Sequence, residues 1–189
     1  MNTKPRGQGI LIVSVVITLV LFLSLAGAAN AESVGPWSAT TSYPTTDSLQ
    51  SCVVFSGYIY CVGGDTGSVY TNEVYYAPLS SSGGVGSWIS TTSYPTDIGG
   101  QSCAVYSGYI YCVGGYTGSV YTNEVYYAPL SASGVGSWTS TTSYPTDISG
   151  QSCAVYGVYI FCVGGYTGDR KSTRLNSSHG YQSRMPSSA

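Results

Sequence analysis

Apolar residues in the body of the chain come in short runs, bounded by Gly, Pro and Ser, in which successive positions alternate between two faces. Between Cys103 and Cys112 one alternate set is Cys103, Val105, Ile110 and Cys112, and the other is Ala104, Tyr106, Tyr109 and Tyr111. Period 2 is the mark of a β-strand, and apolar residues on both faces predict strands covered on both sides. In this stretch the pattern predicts strands over Gly86–Thr92, Ser102–Tyr106, Tyr109–Val113 and Thr122–Ala128, with Pro95 and Pro129 marking the ends of runs. No window combines helical periodicity with capping residues, so the expected class is all-β. The one exception is an apolar run from Ile10 to Leu25, which predicts a single amino-terminal helix.

The same pattern recurs. Trp37, Trp88 and Trp138 are spaced by 51 and 50 residues, as are Cys52, Cys103 and Cys153, and Cys61, Cys112 and Cys162. A period near 50 is the signature of an array of like units. The units run over 34–83, 84–134 and 135–168, and the third is incomplete. Each carries an apolar strand followed by two glycines: Tyr60-Cys61-Val62-Gly63-Gly64, Tyr111-Cys112-Val113-Gly114-Gly115 and Phe161-Cys162-Val163-Gly164-Gly165. With the pairs Tyr75-Tyr76 and Tyr126-Tyr127 and the three tryptophans, these residues resemble kelch repeats, in particular those of secreted prokaryotic kelch-like proteins. The resemblance implies a β-propeller of four-stranded blades, of which about two and two-thirds are present from Trp37 to Gly168. Physics points the same way. A four-stranded unit with two apolar faces buries both only by stacking on neighbours, and rings of four to eight such units leave only short edges.

Charge narrows the function. Only 7% of residues are charged, and between Glu32 and Gly168 there are seven carboxylates and no Lys, Arg or His. Nothing there neutralises phosphate, so nucleic acid is excluded as a partner. A Ser nucleophile would have no His base and no cation beside an oxyanion. The carboxylates Asp97, Asp147 and Glu124 recur with the period, which marks them as turn and strand-edge residues rather than a glycosidase pair. Asp65 and loop acids of the Asp47 type offer no dense calcium-ligand run. No catalytic residue, cofactor or metal is expected. Loop aromatics Tyr94, Tyr116, Tyr144 and Tyr166 are candidates for stacking on sugars or peptides.

The termini set the compartment. Lys4 and Arg6 precede the apolar run, and Ala26-Gly27-Ala28-Ala29-Asn30-Ala31 follows it. This order predicts a secretory signal peptide over residues 1–31, cleaved after Ala31. The alternative is an uncleaved membrane anchor, and the membrane is a partner only in that case. Either way the repeats of residues 32–168 lie outside the cytoplasm, secreted or at the cell surface. Residues 169–189 break the repeat and resemble the in-frame translation of a short-read sequencing adapter. They are therefore expected to be an artefactual tail without structure, which removes His179 and the four basic residues Arg170, Lys171, Arg174 and Arg184 from consideration.

Six cysteines in an exported chain predict three disulfides. Each unit holds a hairpin with a two-residue turn, at Ser56-Gly57, Ser107-Gly108 or Gly157-Val158, a composition suited to primed turns. Counting outwards places Cys52 opposite Cys61, Cys103 opposite Cys112 and Cys153 opposite Cys162. All three fall on non-hydrogen-bonded pairs, where Cα atoms are about 4.5 Å apart. The competing reading is three pairs of buried thiols. The whole reads as an extracellular propeller that binds a protein or glycan as an adhesion module, not an enzyme. The alternative is part of a secreted propeller enzyme whose catalytic residues lie elsewhere.

Overall fold

A computed structural model describes residues 35–168 and 181–185. The expected signal segment and most of the expected tail lie outside the described residues. Chain contacts divide the protein into two units, Met1–Ser38 and Ala39–Ala189. Among the described residues there is no helix, hence none long and apolar enough to cross a membrane. The fold is all-β.

The strands form three antiparallel sheets in succession. The first contains β1 (Ser51–Phe55), β2 (Tyr58–Asp65), β3 (Tyr70–Pro78) and β4 (Ile89–Ser90), paired in that order. The second contains β5 (Ser102–Tyr106), β6 (Tyr109–Tyr116) and β7 (Tyr121–Ser131), with β8 (Gly134–Val135) and β9 (Thr139–Ser140) both paired to β7. The third contains β10 (Ser149–Tyr156), β11 (Tyr159–Tyr166) and β12 (Tyr181–Arg184). Among the described residues the sheets do not close into a barrel or ring.

Local sequence explains the hairpins. Ser56 and Gly57 take φ of 47° and 81°, and Ser107 and Gly108 take 48° and 81°, the backbone of a type I′ turn. In the third hairpin only Gly157, at φ 59°, is left-handed, which suits the other primed form. Both forms match the right-handed twist of the flanking strands, so the two-residue turns fix the register.

Three sequence expectations need correction. The strands do not stop before the diglycines but run through them, to Asp65, Tyr116 and Tyr166. Gly63 to Gly64 and Gly114 to Gly115 have positive φ and carry a bulge, after which pairing resumes at Gly64↔Thr71 and Gly115↔Thr122. The stretch expected as a strand over Gly86–Thr92 contributes only Ile89 and Ser90. These pair with Tyr76 and Tyr75, so they complete the sheet of the preceding repeat rather than start a sheet of their own. A repeat period fixes the length of the unit but not where a sheet begins within it. The expected tail is not wholly without structure, because Tyr181–Arg184 pairs with β11. An open strand edge offers N–H and C=O groups to any extended segment, whatever its sequence. β12 takes the place that β7 occupies on β6: Ser183 lies opposite Ile160 as Ala128 lies opposite Ile110.

The core lies between sheets. One cluster joins Tyr60, Val62 and Val74 of the first sheet to Ile98, Ile110 and Cys112. A second joins Tyr111, Val113 and Val125 to Ile148, Ile160 and Cys162. The two sides of each strand pair thus have different neighbours. The face with the disulfide looks back to the preceding sheet, and the face with the tyrosines looks forward to the next. Each seam repeats its polar contacts. Gln101 Nε2 donates to the Val62 carbonyl at 2.7 Å, and Gln151 Nε2 to the Val113 carbonyl at 2.6 Å. The amide of Cys103 donates to Ser51 Oγ and that of Cys153 to Ser102 Oγ, both at 2.9 Å. Buried side-chain amides so placed hold two sheets in a single alignment, because a shifted seam strands a buried polar group at a cost of about 1–3 kcal/mol.

Candidate functional site

The disulfides form within the hairpins: Cys52–Cys61, Cys103–Cys112 and Cys153–Cys162, with Cα atoms 4.1, 4.0 and 4.1 Å apart. Each lies on a register pair of its hairpin, and each closes a short loop worth about 2–3 kcal/mol. They are structural groups, and among the described residues no cysteine is free.

The signature residues also serve the sheets. Gly63 and Gly114 bring the bulge against the next sheet: a Cβ on either would collide with the carbonyl oxygen of Ile98 or Ile148. A Cβ on Gly115 or Gly165 would lie 2.6 or 2.7 Å from the side chain of Ile98 or Ile148. Gly64 is closed off in the same way by the Asp47 carboxylate. At Gly164 a Cβ would meet nothing within 4 Å. Trp88 packs edge-on against Tyr43 at 4.9 Å and Trp138 against Tyr94 at 4.8 Å, with Trp138 Nε1 donating to the Thr92 carbonyl. Trp37 belongs to the separate unit Met1–Ser38 and is 92% exposed.

Of the loop aromatics singled out from sequence, Tyr94 and Tyr144 are core residues, 2% and 8% exposed. The loops that carry them fold under the next sheet, where burial pushes the Tyr94 phenol well above its ordinary range, with Tyr126 and Glu124 adding to the effect. Tyr166 is exposed and Tyr116 half-buried, its hydroxyl donating to the Gly118 carbonyl at 3.1 Å, and they belong to a larger set. Tyr70 meets Tyr116 edge-on at 5.4 Å, Tyr116 meets Tyr121 at 4.8 Å, and Tyr121 meets Tyr166 at 5.3 Å. This unbroken row crosses from the first sheet to the third at the end where the β2–β3 and β6–β7 hairpins turn.

Glycine makes the row possible. The ring of Tyr70 rests in space that a Cβ on Gly99 or Gly118 would fill, 2.8 and 3.0 Å away, and Tyr121 rests on Gly168 at 2.7 Å. The turns themselves are tied locally. Thr66 Oγ1 donates to the Val69 carbonyl at 3.0 Å, and Thr117 Oγ1 to that of Val120 at 3.3 Å. Their tips expose Val69 and Val120, 63% and 60% accessible, beside the row. The Tyr70 phenol is held above its ordinary range, first by burial and then by the Asp65 carboxylate and its tyrosine neighbours. The formal charge beside Tyr70 is the negative one of Asp65.

Sequence reasoning missed Tyr70 and Tyr121. The signal was present: they stand 51 residues apart, each four residues before a Val-Tyr-Tyr segment. The recurring acids do not assemble into a site. Asp97, Asp147 and Glu124 are exposed in separate segments, and among the described residues no three His, Cys, Asp or Glu side chains are grouped to hold a metal. No family model and no curated protein matches this chain.

Proposed function

We propose that the chain is an extracellular kelch-like β-propeller module that binds its ligand on the row Tyr70, Tyr116, Tyr121 and Tyr166, and that a glycan is the ligand the row fits best. The observation that carries this reading is the row itself: four adjacent rings, partly exposed, held on a rigid sheet end and flanked by apolar loop tips. Aromatic faces present large apolar area at little cost in conformational entropy, and their hydroxyls offer hydrogen bonds at the rim. The absence of Lys, Arg and His between Glu32 and Gly168 argues for a neutral ligand rather than an acidic one. A rigid framework displaying loop residues is how binding sites are commonly held. Export is supported by three disulfides, which persist in oxidising compartments, and by the signal-like order of the first 31 residues.

The test is a screen of neutral and acidic glycans and of peptides against the full chain and its Tyr116→Ala and Tyr121→Ala variants. Binding of a neutral glycan that weakens about tenfold in each variant is expected, consistent with about 1–2 kcal/mol per stacked ring. Unaltered binding in both variants would overturn the assignment of the row, and selective capture of peptides would turn the reading to a protein ligand.

A further inference from the structure

The β6–β7 hairpin ends in a pair of tyrosines that the first hairpin lacks. Tyr116 and Tyr121 are register partners across the two strands, with ring centroids 4.8 Å apart and planes tilted by 43°. At the same place in the first sheet Asp65 stands opposite Tyr70, so a carboxylate replaces one ring. Among the described residues no other two tyrosine rings come as close; the rest are 5.3 to 6.3 Å apart. Both residues belong to the middle sheet, which has a sheet packed on each side.

The pair is held in place and is also reachable. The Tyr116 hydroxyl donates to the Gly118 carbonyl at 3.1 Å, and the turn between the two rings is tied by Thr117 to Val120. Tyr121 rests where a Cβ on Gly168 would lie 2.7 Å from its ring. Both tyrosines are half-buried, so each keeps part of its ring in solvent. The stacked pairs Tyr60–Tyr76 and Tyr111–Tyr127 are wider, at 5.9 and 5.6 Å, and Tyr60 and Tyr111 lie in the core. Among the described residues every cysteine is in a disulfide, so no thiol stands ready to repair an oxidised phenol.

We propose that Tyr116 and Tyr121 are an oxidative cross-linking site, joined ring to ring by a carbon–carbon bond when a peroxidase-class oxidant supplied with hydrogen peroxide reaches this sheet end. Each phenol gives one electron to the oxidant and its O–H proton to water, which leaves two phenoxyl radicals. The radicals couple at the carbons ortho to oxygen. The hydrogens on those two carbons then move to the oxygens and restore both aromatic rings. Peroxide takes up the two electrons and two protons, its O–O bond breaks, and two waters leave. Groups held side by side in reacting geometry act as if present at about 10⁵ M or more, so coupling within the pair outruns coupling between molecules. Tyr70 and Tyr166 continue the ring contacts on either side, at 5.4 and 5.3 Å, so a radical formed on either passes inward to the closest pair. The new bond would stitch β6 to β7 as Cys103–Cys112 stitches β5 to β6. An oxidising compartment, where disulfides persist, is the setting in which such a bond forms and lasts. The inference is independent of what binds the tyrosine row.

The test treats the full chain, dispersed in a non-ionic detergent, with a haem peroxidase and hydrogen peroxide. The expected product is a monomer lighter by two hydrogen atoms, with the blue fluorescence of coupled tyrosine. Its peptide spanning both rings should give no backbone fragments between Tyr116 and Tyr121. Tyr116→Phe and Tyr121→Phe keep the rings but cannot form the phenoxyl radical, and each should lower the fluorescence of the monomer about tenfold or more. Tyr111→Phe, in the stacked pair, should leave it unchanged. All variants are compared with three disulfides intact and the far-ultraviolet spectrum of the parent. Fluorescence that persists in both Phe variants, a bond mapped to other tyrosines, coupling only between molecules, or no coupling at all would each overturn the site. No readout involves a ligand, so failure here is distinct from failure of the glycan assignment.

Discussion

At the scale of single residues, Asp47 is out of character with its position. It aligns with Ile98 and Ile148, whose side chains cover Gly115 and Gly165, and its carboxylate covers Gly64 instead. Burial raises its pKa from the ordinary 3.8, the Asp65 and Glu73 charges add to this, and the Ser48 N–H, donating at 3.0 Å, opposes it. A carboxyl whose folded pKa is raised favours folding below its unfolded pKa, and that advantage disappears as pH climbs through the folded value. Asp47→Asn, which keeps an acceptor for Ser48, should therefore raise the melting temperature by a few degrees at pH 7 and leave it unchanged below pH 3.8. Melting curves across that range check the sign, and a gain that grew on acidification would refute the account. The sequence contained this feature, since Asp47 lies 51 residues before Ile98, yet composition grouped it with the loop acids. The burial of Tyr94 and Tyr144 was less accessible. Their Pro- and Thr-rich surroundings read as a surface loop, and only the neighbouring sheet buries them.

Among the elements, the hairpins were the most legible. A two-residue turn leaves one register, and that register carries every cysteine to its partner. The outer strands were the least legible. β4 and β9 are two residues each and pair with the strand of the preceding repeat, so neither length nor alternation announces them. The turns also hold a correctable cost. Ser107 sits at φ 48°, which L-residues other than Asn, Asp and Gly adopt poorly. Ser107→Asn should stabilise the chain by about 0.5 kcal/mol, since Asn-Gly is the favoured type I′ pair. Chemical denaturation provides the measurement, with an unchanged slope and a higher midpoint expected.

For the molecule as a whole, the repeat period announced three similar sheets but not their phase, and sheet-on-sheet burial is the force that joins them. The third sheet shows what that burial requires. Met185 is 3% exposed, its N–H bonds the Val158 carbonyl at 2.8 Å, and it stands where Leu130 bonds Gly108 in the second sheet. A cavity of about 360 Å³ lies beside it, lined by Tyr111, Val125, Tyr144 and Ile160 among others. The tail's sequence does not belong to the repeat, but backbone pairing needs extension rather than a matching sequence. Met185→Asp should lower stability by about 2–4 kcal/mol and promote binding of an apolar-surface dye. A thermal scan with such a dye tests this, and an unchanged transition would show that β12 contributes nothing.

The hairpin disulfides have a consequence for mechanics. Each ties two residues nine positions apart at a Cα separation near 4 Å, so a pulling force on the ends bypasses everything between them. A stretched strand of that length spans about 30 Å. Three such segments stay hidden while the chain is under tension, and reducing agents release them as extra extension. In an oxidising medium the chain is a shorter tether than its residue number suggests, and its reach is set by the redox state around it.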